Sequence, residues 1–177
     1  MSIATLQGLI ASLVSSGGLT TPGSLGTWSD TVAAFRRLDP SVDTRGGFQF
    51  TTGGAASELS SVDWEAAQVD AAGNHHCELW SDSSNAPGAK IGASSGSLSI
   101  STTGQKTFTW ASRIALTAAT KYWIILTPDS VGTGDTYWRT VNNNASYGSG
   151  RSGTITSITT TGLPSSEDWR VRVNYYT

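Results

Sequence analysis

The chain has 177 residues, of which 14% are charged and 37% hydrophobic, and its formal net charge is −2. This length allows one domain with a sizeable core, and the apolar content excludes a disordered chain. The small and mixed charge forms no basic stripe, so we expect neither nucleic acid nor a membrane as a partner.

The chain begins with a segment whose apolar residues recur at spacings of three and four. This periodicity predicts a short helix that ends at Gly17 and Gly18. Its apolar face consists of Ile3, Leu6, Ile10, Leu13 and Val14. No charged residue precedes Asp30, and depletion of charge is typical of the centre of a protein interface. Residues 1–28 are therefore predicted to be a helix and connector that either attach the chain to a partner or cap its own sandwich.

The same N-terminal segment lacks the features of a signal peptide. No basic residue precedes its apolar positions, and Gln7, Gly8 and Ser12 interrupt them. No stretch of the sequence reaches the apolar length of a membrane-spanning helix. We therefore expect no signal peptide, no transmembrane segment and synthesis in the cytoplasm.

From about residue 30 onward, the apolar residues alternate with a period of two, which is typical of strands. The alternation is clearest near the C-terminus, where Trp169, Val171, Val173 and Tyr175 share one face. The opposite face, which we expect to be solvated, carries Asp168, Arg170, Arg172 and Asn174. Other inward-facing groups are Phe48 with Phe50, Val62 with Trp64 and Ala66, and Phe108 with Trp110. Residues 122–126 are apolar on both faces, as is typical of a central strand.

Shorter apolar runs predict further strands, which turn-rich sequences separate. These runs lie at residues 77–80, 98–100, 114–116, 137–141 and 155–158. No helical pattern alternates with them, so a parallel sheet is disfavoured. The sequence therefore predicts an all-β fold, an antiparallel jelly-roll-like β-sandwich over residues 29–177 preceded by the short N-terminal helix.

Three segments of the predicted sandwich carry a family resemblance. They read GFQFTTGGAASELSSVDWEAA, HHCELWSDSSNAPGAKIG and LTAATKYWIILTP. In their order and motifs they resemble the choice-of-anchor β-sandwich domains of bacterial surface proteins, and the resemblance covers residues 46–140. Similar modules occur in phage virion proteins. The resemblance implies a jelly-roll-like fold, and it specifies the fold better than the function.

His75, His76 and Cys77 form a cluster of imidazole and thiol groups. In a strand, His75 and Cys77 share one face and His76 points to the other. A zinc site needs three or four ligands, and the sequence has no further histidine or cysteine. We therefore predict no metal site and no cofactor, with Cys77 as a buried thiol that forms no internal disulfide.

The run Asp82, Ser83, Ser84 and Asn85 carries oxygen ligands of the kind that calcium prefers. Its acidic count is low, however, and it lacks the signature of a calcium-binding loop. Aspartate and asparagine also stabilise tight turns by hydrogen-bonding to the backbone. We therefore predict a turn at this position.

The sequence contains no pattern typical of a catalytic centre. No serine lies in a Gly-x-Ser-x-Gly turn, and both histidines lie in one strand, which disfavours a serine triad. The carboxylates available for glycosidase chemistry are Asp63, Glu65, Glu78 and Glu167. Their spacing places no pair across a cleft, and solvated strand faces explain them better. We therefore predict no enzymatic activity.

The chain has 7 tryptophans, a high count for one domain. Alternation does not assign Trp80, Trp123 and Trp138 to the interior. These three residues are candidates for an aromatic platform that stacks on sugar rings or on a partner. Core packing is the alternative, because tryptophan is mostly buried in folded domains.

Two functions fit these features. The first is a non-enzymatic virion protein of a phage that decorates or cements the head. It would bind capsid subunits or other virion proteins through the N-terminal helix. The alternative is a carbohydrate-binding module, or a receptor-binding domain of a fibre or cell-surface protein, that uses the tryptophan platform. A second copy of the chain is a further candidate partner.

Overall fold

The computed structural model describes residues 19–26, 32–38, 44–129, 135–142, 152–156, 159–162 and 167–177. In these ranges the chain forms two antiparallel sheets, each of 7 strands, which confirms the predicted all-β sandwich. The same ranges contain no helix with the length and apolar character needed to cross a membrane. The predicted helix face, with Ile3, Leu6, Ile10, Leu13 and Val14, lies outside the described residues.

The first sheet contains the first and the last of the described strands. Its members are β1 (Pro22–Gly26), β2 (Val32–Leu38), β4 (Ser57–Ala71), β8 (Gly104–Leu116), β10 (Asp135–Asn142), β13 (Glu167–Trp169) and β14 (Val171–Tyr176). β14 lies between β1 and β4, and β4 also pairs with β8 and β10. β10 in turn pairs with β2 and β13.

The second sheet contains the remaining strands of the described ranges. Its members are β3 (Thr44–Thr51), β5 (Gly73–Ser83), β6 (Ala86–Ile91), β7 (Leu98–Ile100), β9 (Lys121–Pro128), β11 (Ser152–Thr156) and β12 (Thr159–Gly162). Their order is β12-β11-β3-β9-β5-β6, with β7 beside β5. Consecutive strands lie in alternate sheets from β3 through β5 and again from β8 through β11. Such crossing between sheets is typical of jelly-roll-like connectivity.

The core between the sheets is centred on aromatic side chains. The ring centroid of Trp64 lies 5.7 Å from that of Trp169 and 6.2 Å from that of Trp138. Most of the other residues that alternation predicted to face inward are also buried: Phe48, Phe50, Val62, Ala66, Phe108, Trp110, Val171 and Val173. Alternation identified them because each of these strands turns one face toward the opposite sheet. Tyr175, predicted on the same face of β14, is only partly buried.

Several strands differ from the sequence-based expectation. Of the predicted strand at residues 155–158, residues 155 and 156 end β11, and residues 157 and 158 lie outside the described residues. Residues 114–116 do not form a separate strand but end the 13-residue β8. Pro22–Gly26, which lies in the predicted connector, pairs along β14. Its sequence, PGSLG, has little apolar signal. A Cβ atom at Gly23 would lie 2.8 Å from the Tyr175 ring, so a larger residue at this position would have to displace that ring.

The run of residues 82–85 forms the tight connection between β5 and β6. Ser84 and Asn85 have positive φ angles of 55° and 63°, as in the type I′ turn of a two-residue hairpin. The backbone N–H of Asn85 donates to Oδ2 of Asp82 at 3.1 Å. These contacts confirm the predicted turn.

Leu59→Ala tests whether the inward face of β4 is correctly identified. Leu59 is fully buried, so truncation should lower the free energy of unfolding by about 2–5 kcal/mol. Gln68→Ala is the matched control, because Gln68 is exposed on the same strand and should change stability by no more than about 0.5 kcal/mol. Urea denaturation measures both. Equal effects for the two variants would show that the assigned face is wrong.

Candidate functional site

A groove of about 400 Å³ opens on the outer face of the first sheet, where β1, β14 and β4 lie side by side. Val171 and Val173 of β14 are buried in the core, so the alternating residues Arg172 and Asn174 point outward. The strand register places Asn174 opposite Ser24 of β1 and opposite Ser61 of β4. An amide and two hydroxyl groups therefore form one row across the groove.

Asp63 is the central residue beneath this row, and only 1% of its surface is exposed. Its Oδ2 atom accepts hydrogen bonds from Nε of Arg172 at 2.8 Å and from Nδ2 of Asn174 at 3.1 Å. Nη2 of Arg172 also lies 2.8 Å from Oδ2. Thr107 donates to Oδ1 at 2.6 Å. One carboxylate therefore holds side chains of β4, β8 and β14 together.

The environment of Asp63 favours its ionised form. Burial acts to raise the pKa of the carboxyl group, but the hydrogen bonds from Thr107, Asn174 and Arg172, together with the charge of Arg172, outweigh burial and leave the pKa below its ordinary value. Hydrogen bonding to the charged form has this effect in general. The carboxylate thus remains negative at neutral pH.

Arg113 packs on Tyr176, one of the residues that line the groove. Its guanidinium carbon lies 3.5 Å from the centroid of the Tyr176 ring, in a cation–π contact. Nη1 of Arg113 donates to the carbonyl oxygen of Leu19 at 2.6 Å and lies 3.4 Å from Oε2 of Glu58. Because Arg113 covers one face of the Tyr176 ring, only the opposite face is left to a ligand.

The outer face of the second sheet brings together two of the three tryptophans predicted as a platform. Trp80 of β5 lies directly opposite Trp123 of β9. Trp123 is only 1% exposed, and Trp80 packs against it and remains partly exposed. Trp138 is not part of this surface, because it is fully buried between the sheets. Of these three tryptophans, Trp80 alone therefore presents ring surface on the described part of this face.

Both indole N–H groups of this surface are bound to carboxylates. Trp80 donates to Oε2 of Glu78 at 2.9 Å, and Trp123 donates to Oδ1 of Asp82 at 2.9 Å. Gln49 donates to the same Oδ1 atom of Asp82. Asp82 was a candidate calcium ligand on the basis of the sequence. In the structure its carboxylate accepts hydrogen bonds from the Trp123 side chain and from the backbone of the turn at Asn85.

His76 links two carboxylates on the same face as Trp80. Its Nδ1 atom lies 2.5 Å from Oδ1 of Asp129, and its Nε2 atom lies 3.5 Å from Oε1 of Glu78. The pKa of His76 is raised, mainly by its hydrogen bond with Glu78. Burial acts to lower this pKa, and the hydrogen bond and charge of Asp129 raise it further. The hydrogen bond between His76 and Glu78, with those from Lys90 and Trp80, lowers the pKa of Glu78 to about 2.

His75 and Cys77 share one face of β5, as alternation predicted, and both are buried, whereas the sequence suggested a buried thiol beside two imidazoles at a strand edge. The His75 ring packs edge-on against Trp138, with 5.5 Å between centroids, and burial lowers its pKa. Burial likewise raises the pKa of the Cys77 thiol, so the thiol is protonated at neutral pH. The described residues contain no group of three or more histidine, cysteine or acidic side chains that could hold a metal ion.

Of the four carboxylates weighed for glycosidase chemistry, three belong to strands of the first sheet and one belongs to the second sheet. Asp63 and Glu65 lie on the same face of β4, and Glu65 is ion-paired with Arg139 at 3.0 Å and Arg170 at 2.7 Å. Glu78 lies on the other sheet. Glu167 belongs to β13, and its side chain lies outside the described residues.

Sequence reasoning placed Arg172 and Asn174 on a solvated face but did not identify a groove. The alternation in β14 correctly gave their direction. The concave shape depends on β1, whose sequence carries almost no strand signal, and on the pairing of β14 between β1 and β4. A strand pairing of this kind cannot be read from apolar spacing.

Comparisons with known proteins identify a shared fold. No protein-family model and no curated protein matches the sequence. Among solved structures, the clostridial cysteine protease Cwp84 after propeptide cleavage matches with a TM-score of 0.65 and 11% identity, covering 88% of this chain and 40% of that chain. The cysteine protease and lectin-like domains of Cwp84, a surface layer associated protein of Clostridium difficile, match with a TM-score of 0.60 and 9% identity, covering 81% and 36%.

These neighbours bear on two predictions. They are β-rich domains of a bacterial surface protein; they show neither a choice-of-anchor family nor a phage family, and they give no support to the head-decoration interpretation. The prediction of no enzymatic activity is corrected, because both neighbours are chains of a cysteine protease. The match is to the lectin-like part, and at this identity it shows a fold and does not show an activity.

Titration of the two histidines tests the polar network on the second sheet. NMR should give His76 a pKa above 6.5 and His75 a pKa below 6.5. A group whose pKa is higher in the folded state than in the unfolded state stabilises the fold at pH values below its unfolded-state pKa. This stabilisation is lost as the pH rises through the folded-state pKa. His76→Gln should therefore lower the free energy of unfolding more at about pH 5 than at about pH 9. An equal loss at both pH values would contradict the network.

Proposed function

We propose that this chain is a carbohydrate-binding domain and that a saccharide binds in the groove between β1, β14 and β4. The observation that carries the proposal is the row of Ser24, Asn174 and Ser61 across a groove of about 400 Å³. Binding sites for small molecules are typically concave and contain a few precisely placed polar groups. This groove has both properties.

The chemistry of the groove matches that of a sugar. A saccharide offers hydroxyl groups that both donate and accept, and C–H faces that pack on aromatic rings. The Nδ2 atom of Asn174 already donates to Oγ of Ser61 and Oδ2 of Asp63, each at 3.1 Å. The amide oxygen of Asn174 is therefore turned toward the ligand as an acceptor. Tyr176 adds one ring face at the end of the row.

The network beneath the groove holds these groups in place before a ligand binds. Asp63 fixes Arg172 and Asn174 through hydrogen bonds of 2.8 and 3.1 Å. Side chains that are already ordered lose less conformational entropy on binding. The rigid floor therefore favours binding of a weakly interacting ligand such as a sugar.

The structural neighbours lend further support. The match is to the part of Cwp84 that is described as lectin-like, and a lectin-like domain fits the carbohydrate-binding alternative better than a capsid protein does. This support concerns the fold, since identity is 9–11%. The location of the site rests on the groove itself.

Trp80 defines a second surface on which a sugar could stack. It is partly exposed, and its indole N–H is fixed to Glu78 at 2.9 Å. We favour the groove because Trp123, the neighbour of Trp80, is only 1% exposed and the face therefore offers a single ring. Substitutions on the two sheets distinguish the two surfaces.

Asn174→Ala is the decisive variant for the proposed site. The wild-type chain should bind one or more saccharides on a glycan array. For the saccharide that binds most tightly, the variant should raise the dissociation constant by at least about tenfold. This is the usual effect of losing one or two hydrogen bonds to a ligand. Isothermal titration calorimetry gives the constant, and thermal unfolding verifies that the variant is folded.

Asn74→Ala is the matched control, because it makes the same chemical change at an exposed position of β5 in the other sheet. It should leave affinity unchanged. Trp80→Ala should also leave affinity unchanged. If Trp80→Ala abolishes binding and Asn174→Ala does not, the groove is not the site. A wild-type chain that binds no saccharide at all would contradict the proposed function.

A further inference from the structure

We infer that the groove selects uncharged saccharides over anionic ones and that Asp63 sets this selectivity by neutralising Arg172. The inference rests on the proposed function and specifies the class of ligand for that same groove. It follows from the arrangement of charges around the groove and from the number of hydrogen bonds that Asp63 accepts.

The charged side chains in and beside the groove are paired with each other. Arg172 lies 2.8 Å from Asp63, and Arg113, which packs on Tyr176, lies 3.4 Å from Glu58. An anionic group that approached Arg172 would also be repelled by the Asp63 carboxylate behind the guanidinium group. This repulsion offsets part of the attraction to Arg172. The groove therefore gives an anion little net electrostatic stabilisation.

The hydrogen bonds of Asp63 make an anionic ligand still less favourable. Its Oδ2 atom accepts from two nitrogens of Arg172 and one of Asn174, and its Oδ1 atom accepts from Thr107. A ligand carboxylate or sulfate that drew Arg172 away would leave a carboxylate that is 1% exposed without its cation. Removing one partner from a buried ion pair is strongly unfavourable.

A neutral hydroxyl group requires no such rearrangement. The amide oxygen of Asn174 accepts from it, and the Ser61 hydroxyl, which accepts from Nδ2 of Asn174 at 3.1 Å, has its own proton to donate. Ser24 lies opposite Asn174 on β1 and adds a second hydroxyl at the exposed side. A neutral saccharide can therefore bind while the bonds of Asp63 stay intact.

The first test compares neutral oligosaccharides with sialylated, uronate-containing and sulfated oligosaccharides of matched length on the wild-type chain. Neutral ligands should bind at least about tenfold more tightly than anionic ones, and their dissociation constants should change less than about twofold between about 50 mM and about 500 mM NaCl. Calorimetry at the two salt concentrations measures both quantities.

Asp63→Asn tests the role of the carboxylate. The substitution keeps the shape of the side chain and leaves the charge of Arg172 uncompensated, so the preference for neutral over anionic ligands should fall by at least about tenfold. Asp70→Asn is the matched control on the same strand, where Asp70 is exposed and hydrogen-bonded only locally to Gln68. It should leave the preference unchanged.

The outcomes separate this inference from the proposed function. A wild-type chain that prefers anionic saccharides, with an affinity that falls steeply with salt, would overturn the inference and leave carbohydrate binding intact. A chain that binds no saccharide of either class would contradict the proposed function as well. If Asp63→Asn does not fold, the selectivity and salt dependence of the wild-type chain decide the inference by themselves.

Discussion

The buried carboxylate of Asp63 is the constraint on which the proposed site depends. An ionised group that is 1% exposed is tolerated only where hydrogen bonds and an opposite charge replace its hydration. Thr107, Asn174 and Arg172 supply them from the two strands that flank β4. The same bonds that stabilise the charge therefore fix the direction of Arg172 and Asn174, and with it the chemistry of the groove floor.

The two outer faces of the sandwich differ in how their polar groups are arranged. On the second sheet, His76 connects Asp129 with Glu78, and the bulky rings of Trp80 and Trp123 occupy the surface between strands β5 and β9. On the first sheet, small residues of β1 lie beside β14 and leave an open groove. Side-chain size, rather than the number of polar groups, thus determines which face is concave.

Alternation of apolar residues was sufficient to predict the layers of the fold and most of its core. It identified Trp64, Val171 and Val173 because each lies on a strand with one buried and one outward face. It did not identify Trp138 as a core residue, because the inward neighbour of Trp138 along β10 is Thr136, a polar residue that is 1% exposed. This face of β10 therefore lacks the run of alternating apolar residues that marks the other core strands.

The candidate site was less accessible to sequence reasoning than the fold. The outward direction of Arg172 and Asn174 could be predicted, whereas their position beside Ser24 and Ser61 depends on pairings between strands more than 100 residues apart. The proximity of Trp80 to Trp123 depends in the same way on the register of β5 with β9. Residue types were visible in the sequence, but the distances between them were not.

The central claim, that the groove of the first sheet is the ligand site, is tested most directly by NMR. The amide resonances of the chain are followed during titration with the neutral oligosaccharide that binds most tightly. We expect shifts concentrated in β1, β14 and the middle of β4, including the backbone amides of Ser24, Asn174 and Ser61. Shifts confined to the second sheet, around Trp80 and Lys90, would contradict the claim.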